Sequence, residues 1–202
     1  MAKLRDNQFV EYVIKIMKDQ EEAMYYSTTY QSPLGILTLA CKEDSLAGLW
    51  LEGQKYYGAA ISEKMIPRSD LRVFAAAKKW LDRYFGGKRP AISELRLAPE
   101  GSGFRMSVWS ILCEIPLGEI ITYGDIAKKI ALKTRKSNMS AQAVGGAVGH
   151  NPISIIIPCH RVVGSNGSLT GYAGGIDKKI KLLELEGVDM SKLFIPEKST
   201  AF

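Results

Sequence analysis

The chain has 202 residues, enough for one large domain or two small ones with a real core, and its 46% hydrophobic and 24% charged composition, free of repeats and low complexity, excludes a disordered or fibrous protein. Lys and Arg number 27 against 21 Asp and Glu, a net charge of +6 that tilts the field toward anionic partners such as nucleic acid. Three scattered cysteines, Cys41, Cys113 and Cys159, argue against a secreted disulfide framework, and with only two histidines, His150 and His160, and no C-x-x-C or H-x-x-x-H spacing, no metal site is expected.

In chain order, the apolar residues Phe9, Val10, Val13, Ile14, Ile16 and Met17 are interrupted by Glu11 and Lys15, which neither a signal peptide nor a membrane span would tolerate. Residues 1–24 therefore read as a short amphipathic helical extension. From Tyr25 to Leu51, β-branched and aromatic residues punctuated by Ser32-Pro33-Leu34-Gly35 and Lys42-Glu43-Asp44-Ser45 predict a small antiparallel sheet. Leu71, Phe74, Leu81 and Phe85 recur at helical spacing between Ser69-Asp70 and Gly86-Gly87, which predicts one capped helix lying on that sheet. The aperiodic, Pro- and Gly-rich stretch that follows puts a boundary near Pro99, giving an α/β domain over 25–99 and a mainly helical one over 100–190.

In the second domain Phe104, Val108, Leu112 and Ile115 share a helix face that Pro116 and Gly118 end. Thr122-Tyr123-Gly124-Asp125 opens another helix with a cap and an acidic first turn, and Ser140 caps "AQAVGGAVGHN". The pair predicts a helix-turn-helix whose second helix is the reader. Ala141, Ala143, Gly145, Gly146 and Ala147 permit another backbone to come very close, in the core or in a DNA groove. With only Gln142 and His150 as long polar side chains, that helix is suited to shape and phosphate contacts in the minor groove rather than to base reading in the major groove. Residues 191–202 read as a flexible tail.

"ISIII", ahead of Pro158, predicts a buried strand that ends at Cys159. Cys41 and Cys113 read as small buried hydrophobes. Cys159 differs because His160 and Arg161 follow it, and a nearby cation raises the thiolate fraction. In an extended chain neighbouring side chains point to opposite faces, so His160 serves Cys159 only across a local turn or a water.

"GSGFRMSVWSILCEIPLGEIITYGDIAKKI", "AQAVGGAVGHNPISIIIPCHRVVG", "GYAGG" and "KLLELEG" together resemble the O6-alkylguanine-DNA alkyltransferase family, closely over residues 100–190 and, through "SPLGILTLA", more loosely in the first half. The resemblance implies a ribonuclease H-like α/β N-terminal domain before a mainly α domain with a helix-turn-helix. It implies a cofactor-free monomer, cytoplasmic or nuclear according to the cell and not bound to a membrane. Its partner would be double-stranded DNA carrying O6-alkylguanine, with O4-alkylthymine left open. The alkyl (methyl) group would pass irreversibly, once per molecule, to Cys159 after the damaged base is flipped out.

By the same resemblance His160 takes the thiol proton through a water, Glu186 orients the imidazole, Asn151 ties the helix to the active-site turn, and Tyr123 crowds the phosphate and offers its hydroxyl to the departing guanine. Tyr172, Ala173, Gly174 and Val162 wall the base pocket. Gln142, Tyr123, Arg161, Ser165 and Gly145 face DNA, with Arg161 either meeting a phosphate or holding the active-site turn. Two positions depart from the pattern: Gln142 stands where many relatives carry arginine, and Ala173 where some carry serine. A non-catalytic lesion binder, whose type lacks the cysteine, and a cysteine hydrolase, disfavoured by adjacent Cys159 and His160, are the competing readings.

Overall fold

The computed structural model describes residues 24–197. The helical extension expected over 1–24 lies, but for Met24, outside the described residues, as do residues 198–202 of the expected tail.

Strands β1 (Tyr25–Ser32), β2 (Gly35–Lys42) and β3 (Ser45–Leu51) form the expected antiparallel meander. At the first hairpin Gly35 takes a left-handed φ of 99°, and the Ser32 hydroxyl accepts from the Leu34 amide at 3.1 Å. A short strand, β4 (Met65–Pro67), adds in parallel to β1, giving the order β3-β2-β1-β4 and a mixed sheet. The far edge, β3, is not free: the Leu49 amide donates to the Pro152 carbonyl and the Ser154 amide to that of Leu49, both at 2.8 Å. The second half of the chain is thus hydrogen-bonded onto the sheet seven and five residues before Cys159.

Helix α1 (Arg72–Phe85) covers the sheet with Phe74, Ala77, Trp80, Leu81 and Tyr84, an i, i+3, i+7 face. Each large apolar side chain buried there contributes roughly 1.5–3 kcal/mol. The helix starts later than Ser69-Asp70 predicts: Leu71 is the N-cap and makes no side-chain cap, because Asp70 is engaged by Arg68 Nε at 3.0 Å.

Helices α2 (Gly103–Cys113), α3 (Tyr123–Thr134), α4 (Ala141–Gly149) and α5 (Ile176–Leu185) build the second half. The side chains of Ser102, Thr122 and Ser140 cap α2, α3 and α4, accepting from the amides of Arg105, Asp125 and Ala143. The buried Trp109 indole of α2 donates to the Ala147 carbonyl at 2.9 Å and so fixes the depth at which α4 sits. A two-strand parallel ladder, β5 (Ile121–Thr122) with β6 (Val162–Val163), ties the start of α3 to the segment after Cys159.

Three expectations need correction. "ISIII" is not a strand: only Ile153 bridges to Leu49, and the chain turns through Ile155 at a φ of 71°, an uncommon conformation for a β-branched residue. Cys113 is exposed at the end of α2, whereas Cys41 is buried as expected. Residues 191–194, expected to start the tail, are tied down, since the Leu169 amide donates to the Phe194 carbonyl at 2.8 Å and the Phe194 amide to that of Gly167 at 3.3 Å.

Candidate active site

The turn that replaces the strand is built around Asn151. Its Oδ1 accepts from the Ile153 amide at 3.0 Å, and its Nδ2 reaches the Ile157 carbonyl at 2.8 Å and the Cys159 Sγ at 3.1 Å. The side chain satisfies backbone groups that would otherwise be orphaned in a buried turn, and aims a donor at the sulfur. Pro158 then leads into a single 3₁₀ turn, Cys159–Arg161. With about three residues per turn, successive side chains diverge by roughly 120°. Adjacent Cys159, His160 and Arg161 are thereby spread around a turn rather than set on opposite faces of a strand.

Glu186, at the C-terminus of α5, is where they converge. His160 Nε2 lies 2.8 Å from Oε1; Arg161 donates Nε to Oε2 at 2.7 Å and Nη2 to Oε1 at 2.8 Å; the Tyr84 hydroxyl donates to Oε1 at 2.7 Å. Arg161 Nη1 also donates to the Ile115 carbonyl at 2.5 Å. The His160 and Glu186 side chains are 0% exposed. Burial by itself would raise the Glu186 pKa, but the hydrogen bonds and charges of His160 and Arg161 hold it far below the ordinary carboxylate value.

Burial lowers the His160 pKa, and the facing Glu186 carboxylate only partly offsets this. The imidazole is therefore neutral near pH 7. Facing a carboxylate, it carries its proton on Nε2, which leaves Nδ1 as a bare acceptor with no hydrogen-bond partner. The Cys159 thiol, itself 5% exposed, is pushed up in pKa by burial and drawn back by the Asn151 amide and the Lys179 charge.

Tyr123, the first residue of α3, donates its hydroxyl to the Thr170 carbonyl at 3.1 Å. The Tyr172 ring stands edge-on to His160 at 6.5 Å between centroids. Tyr172, Ala173 and Gly174 wall a cleft of about 320 Å³, completed by Gly145, Gly146, Gly149 and His150 on the α4 side and by Gly53, Lys55 and Tyr56 from the first half.

Two family models match the chain: the DNA binding domain of 6-O-methylguanine DNA methyltransferase over residues 103–188, and its ribonuclease-like domain over 24–99. The chain belongs to the methylated-DNA–protein-cysteine methyltransferase family. A relative of that name from Haemophilus influenzae is 40% identical over 166 residues, 82% of this chain and 88% of its own, and one from Methanosarcina acetivorans is 44% identical over 169 residues, 81% and 99%. Among solved structures, Mycobacterium tuberculosis OGT in complex with DNA superposes with a TM-score of 0.68 at 40% identity, covering 81% of this chain and 92% of that one. The two family models and this superposition agree with the two-part architecture read from the sequence.

Within this methyltransferase-family chain, Asn151 reaches Cys159 and Glu186 reaches His160, and the Cys159–Arg161 turn joins the two pairs. Tyr172, Ala173, Gly174 and Gly145 line the cleft, Cys159, His160 and Tyr123 are not among its lining residues, and the Tyr172 ring, edge-on to His160, joins cleft and turn. Gln142 is exposed on α4 and Ser165 is exposed after β6. Of the two uses read for Arg161, the geometry favours the turn: it is 6% exposed and spends its guanidinium on Glu186 and Ile115. One assignment changes. Val162, read as a pocket wall, is fully buried in the core and is not among the residues lining the cleft.

Sequence reasoning missed Tyr84, Lys179 and the 53–57 segment. Tyr84 lies on the inner face of α1, so its burial was legible but not its partner 102 residues away. Tyr56, at a φ of 62°, stacks on His150 with centroids 3.9 Å apart, and the Lys55 amide donates to the Ala173 carbonyl at 3.0 Å. Gly171 is also restricted: at a φ of 72°, a Cβ there would sit 2.8 Å from the Tyr123 hydroxyl oxygen. Gly171→Ala is expected to cost about 1–2 kcal/mol from backbone strain and to dislodge that hydroxyl from Thr170. Thermal unfolding and the alkyl-transfer rate of the variant check this together.

Proposed function

We propose that this chain repairs DNA by transferring an alkyl group, methyl above all, from O6 of a guanine extruded from duplex DNA to Sγ of Cys159. The observation that carries the reading is a buried thiol held by Asn151 and followed, on the same 3₁₀ turn, by a neutral imidazole whose Nε2 is held by Glu186 while Nδ1 is left bare. Nucleophile, base and orienter stand in the order that activates a weak nucleophile. The thiol proton passes to His160 Nδ1 through a bridging water. An S–C bond forms as the C–O6 bond breaks in line, and the electron pair leaves with guanine. The Tyr123 hydroxyl donates a proton to the departing base, which spares the pocket a free purine anion. The product is a thioether, which water does not cleave under mild conditions, so each molecule acts once. No metal or cofactor enters this balance.

A stacked guanine hides O6 in the duplex, so the base must rotate into the cleft. The walls at Gly145, Gly146, Ala173 and Gly174 suit a flat purine because no side chain longer than a methyl intrudes from them. Helices α3 and α4 act as the helix-turn-helix, α4 entering the minor groove with Gln142 filling the gap left by the base and hydrogen-bonding the orphaned cytosine. Ser165 meets the backbone nearby.

Because Gln142 is uncharged, Gln142→Arg is expected to tighten binding at low salt and to steepen the slope of log K against log[salt] by about 0.9. Fluorescence anisotropy of a methylated duplex across a salt series measures this. For the function itself, the protein is incubated with a duplex carrying O6-methylguanine and the peptide containing Cys159 is weighed. A gain of one methyl with restored guanine is expected; an unmodified thiol beside unrepaired DNA overturns the reading.

A further inference from the structure

The base cleft takes Gly53, Lys55 and Tyr56 from the ribonuclease-like half, and the transfer chemistry above gives them no task. They follow β3 directly, and three consecutive residues there reach three separate parts of the site. The Oε1 of buried Gln54 accepts from the Ser154 hydroxyl at 2.9 Å, on the turn that leads to Cys159, and from the Leu51 amide at 3.1 Å. The Lys55 amide donates to the Ala173 carbonyl in the cleft wall. The Tyr56 ring stacks on that of His150 at the end of α4, with 21° between the planes.

Tyr56 is held there against its own backbone preference. Its φ of 62° is left-handed, a strained conformation for a bulky residue, and such strain persists only where the surroundings over-determine it. Here they do. Lys55 Nζ stands 5.2 Å from the Tyr56 ring centroid, and His150 is itself fixed by Nδ1, which donates to the Gly146 carbonyl at 2.7 Å. On the far side the Tyr57 hydroxyl donates to that of Thr38 at 2.8 Å.

The consequence is steric. Glycines line most of the cleft, and its rings are those of Tyr56, His150 and Tyr172. At transfer Sγ, the alkyl carbon and O6 stand in line. A methyl needs little room beside that line, whereas a longer group on the same carbon must project sideways. Gln54 and Lys55 bridge the acceptor turn to the cleft wall on one side, and Tyr56 carries that closure on to α4.

We propose that Tyr56, stacked on His150 and placed by Gln54 and Lys55, is the specificity-determining wall for the O6-substituent: it admits methyl and holds out groups of benzyl size. This rests on the alkyl-transfer reading of the site. The half of the chain without Cys159 then selects which alkyl lesions are repaired.

The test compares Tyr56→Asn, whose short side chain tolerates a positive φ, with Tyr56→Phe, which keeps the ring, and His150→Ala, which removes the ring's partner. Tyr56 is 41% exposed, so its substitution leaves the core intact. Two selectivities are measured, each a ratio within one protein, so that a general loss of activity cancels. One is the transfer rate from a duplex with O6-benzylguanine over that from a duplex with O6-methylguanine. The other needs no DNA: alkylation of Cys159 by iodoacetanilide over that by iodoacetamide, followed by mass spectrometry of the Cys159 peptide, with exposed Cys113 as the reference thiol. Tyr56→Asn is expected to raise both ratios about tenfold, His150→Ala to raise them less, and Tyr56→Phe to keep the wild-type values.

A folded Tyr56→Asn protein with the wild-type value of either ratio overturns the proposal, as does a wild-type protein that takes benzyl as fast as methyl. Should Tyr56→Asn fail to fold, His150→Ala decides, and unchanged ratios there overturn it. A wild-type protein that left O6-methylguanine unrepaired would sink the transfer reading, while the iodoacetanilide ratio would still show whether the wall filters by size.

Discussion

Glu186→Ala is expected to lower folding stability by about 3–5 kcal/mol and to remove most of the transfer activity. The carboxylate is the common acceptor of Tyr84, His160 and Arg161, and its loss strands a guanidinium that is 6% exposed and a phenol 2% exposed. Breaking a buried pair from one side costs more than the pair is worth, because the remaining charge keeps its desolvation penalty. Urea unfolding reads the stability, and the rate of methyl transfer at a temperature where the variant is folded reads the loss of imidazole orientation.

The same carboxylate sets an acid limit. Its folded pKa lies below the ordinary 4.5, so the native state holds its proton less tightly than the unfolded chain does. The stabilisation is fully present above that ordinary value and is lost as pH falls from there through the folded value. Wild-type unfolding midpoints should therefore drop steeply below pH 4.5, with a shallower drop in Glu186→Gln.

Cys159→Ala should abolish transfer outright while leaving recognition in place. Asn151 keeps its bond to the Ile157 carbonyl and the His160–Glu186 pair is untouched, so the stability loss is roughly 1 kcal/mol, an ordinary value for one buried atom. Mass spectrometry should find no alkylated protein, and anisotropy should find near wild-type binding to a methylated duplex. Repair that persisted in this variant would mean that the sulfur is not the acceptor and that another group takes the alkyl.

The helix caps at Thr122 and Ser140 were legible because capping is local: one side chain and the amide three residues on decide it. Cys159 and His160 were legible as a pair, but their relation was not. An apolar "ISIII" fits a strand by pattern, and only the Asn151 side chain, which takes over backbone groups of the turn, makes a compact buried turn affordable at Ile155. Glu186 on an isolated helix reads as an exposed carboxylate at the unfavourable end of the dipole; its burial depends on Arg161 and Tyr84, partners that no local period reveals. The resemblance supplied Glu186, whereas Tyr84 and Lys179 have partners that only tertiary packing fixes. Strand β4 escaped because three residues are too few to show alternation.

The Tyr84 hydroxyl has a bearing on how such a protein can be rebuilt. It belongs to the ribonuclease-like half, and the carboxylate it serves belongs to the half that holds Cys159. A chimera joining this second half to a first half with no phenol at that place would keep Cys159, His160 and Glu186 and still leave Oε1 of Glu186 short of a donor. The two halves are therefore not interchangeable modules: a single oxygen–oxygen contact makes them co-tenants of one site.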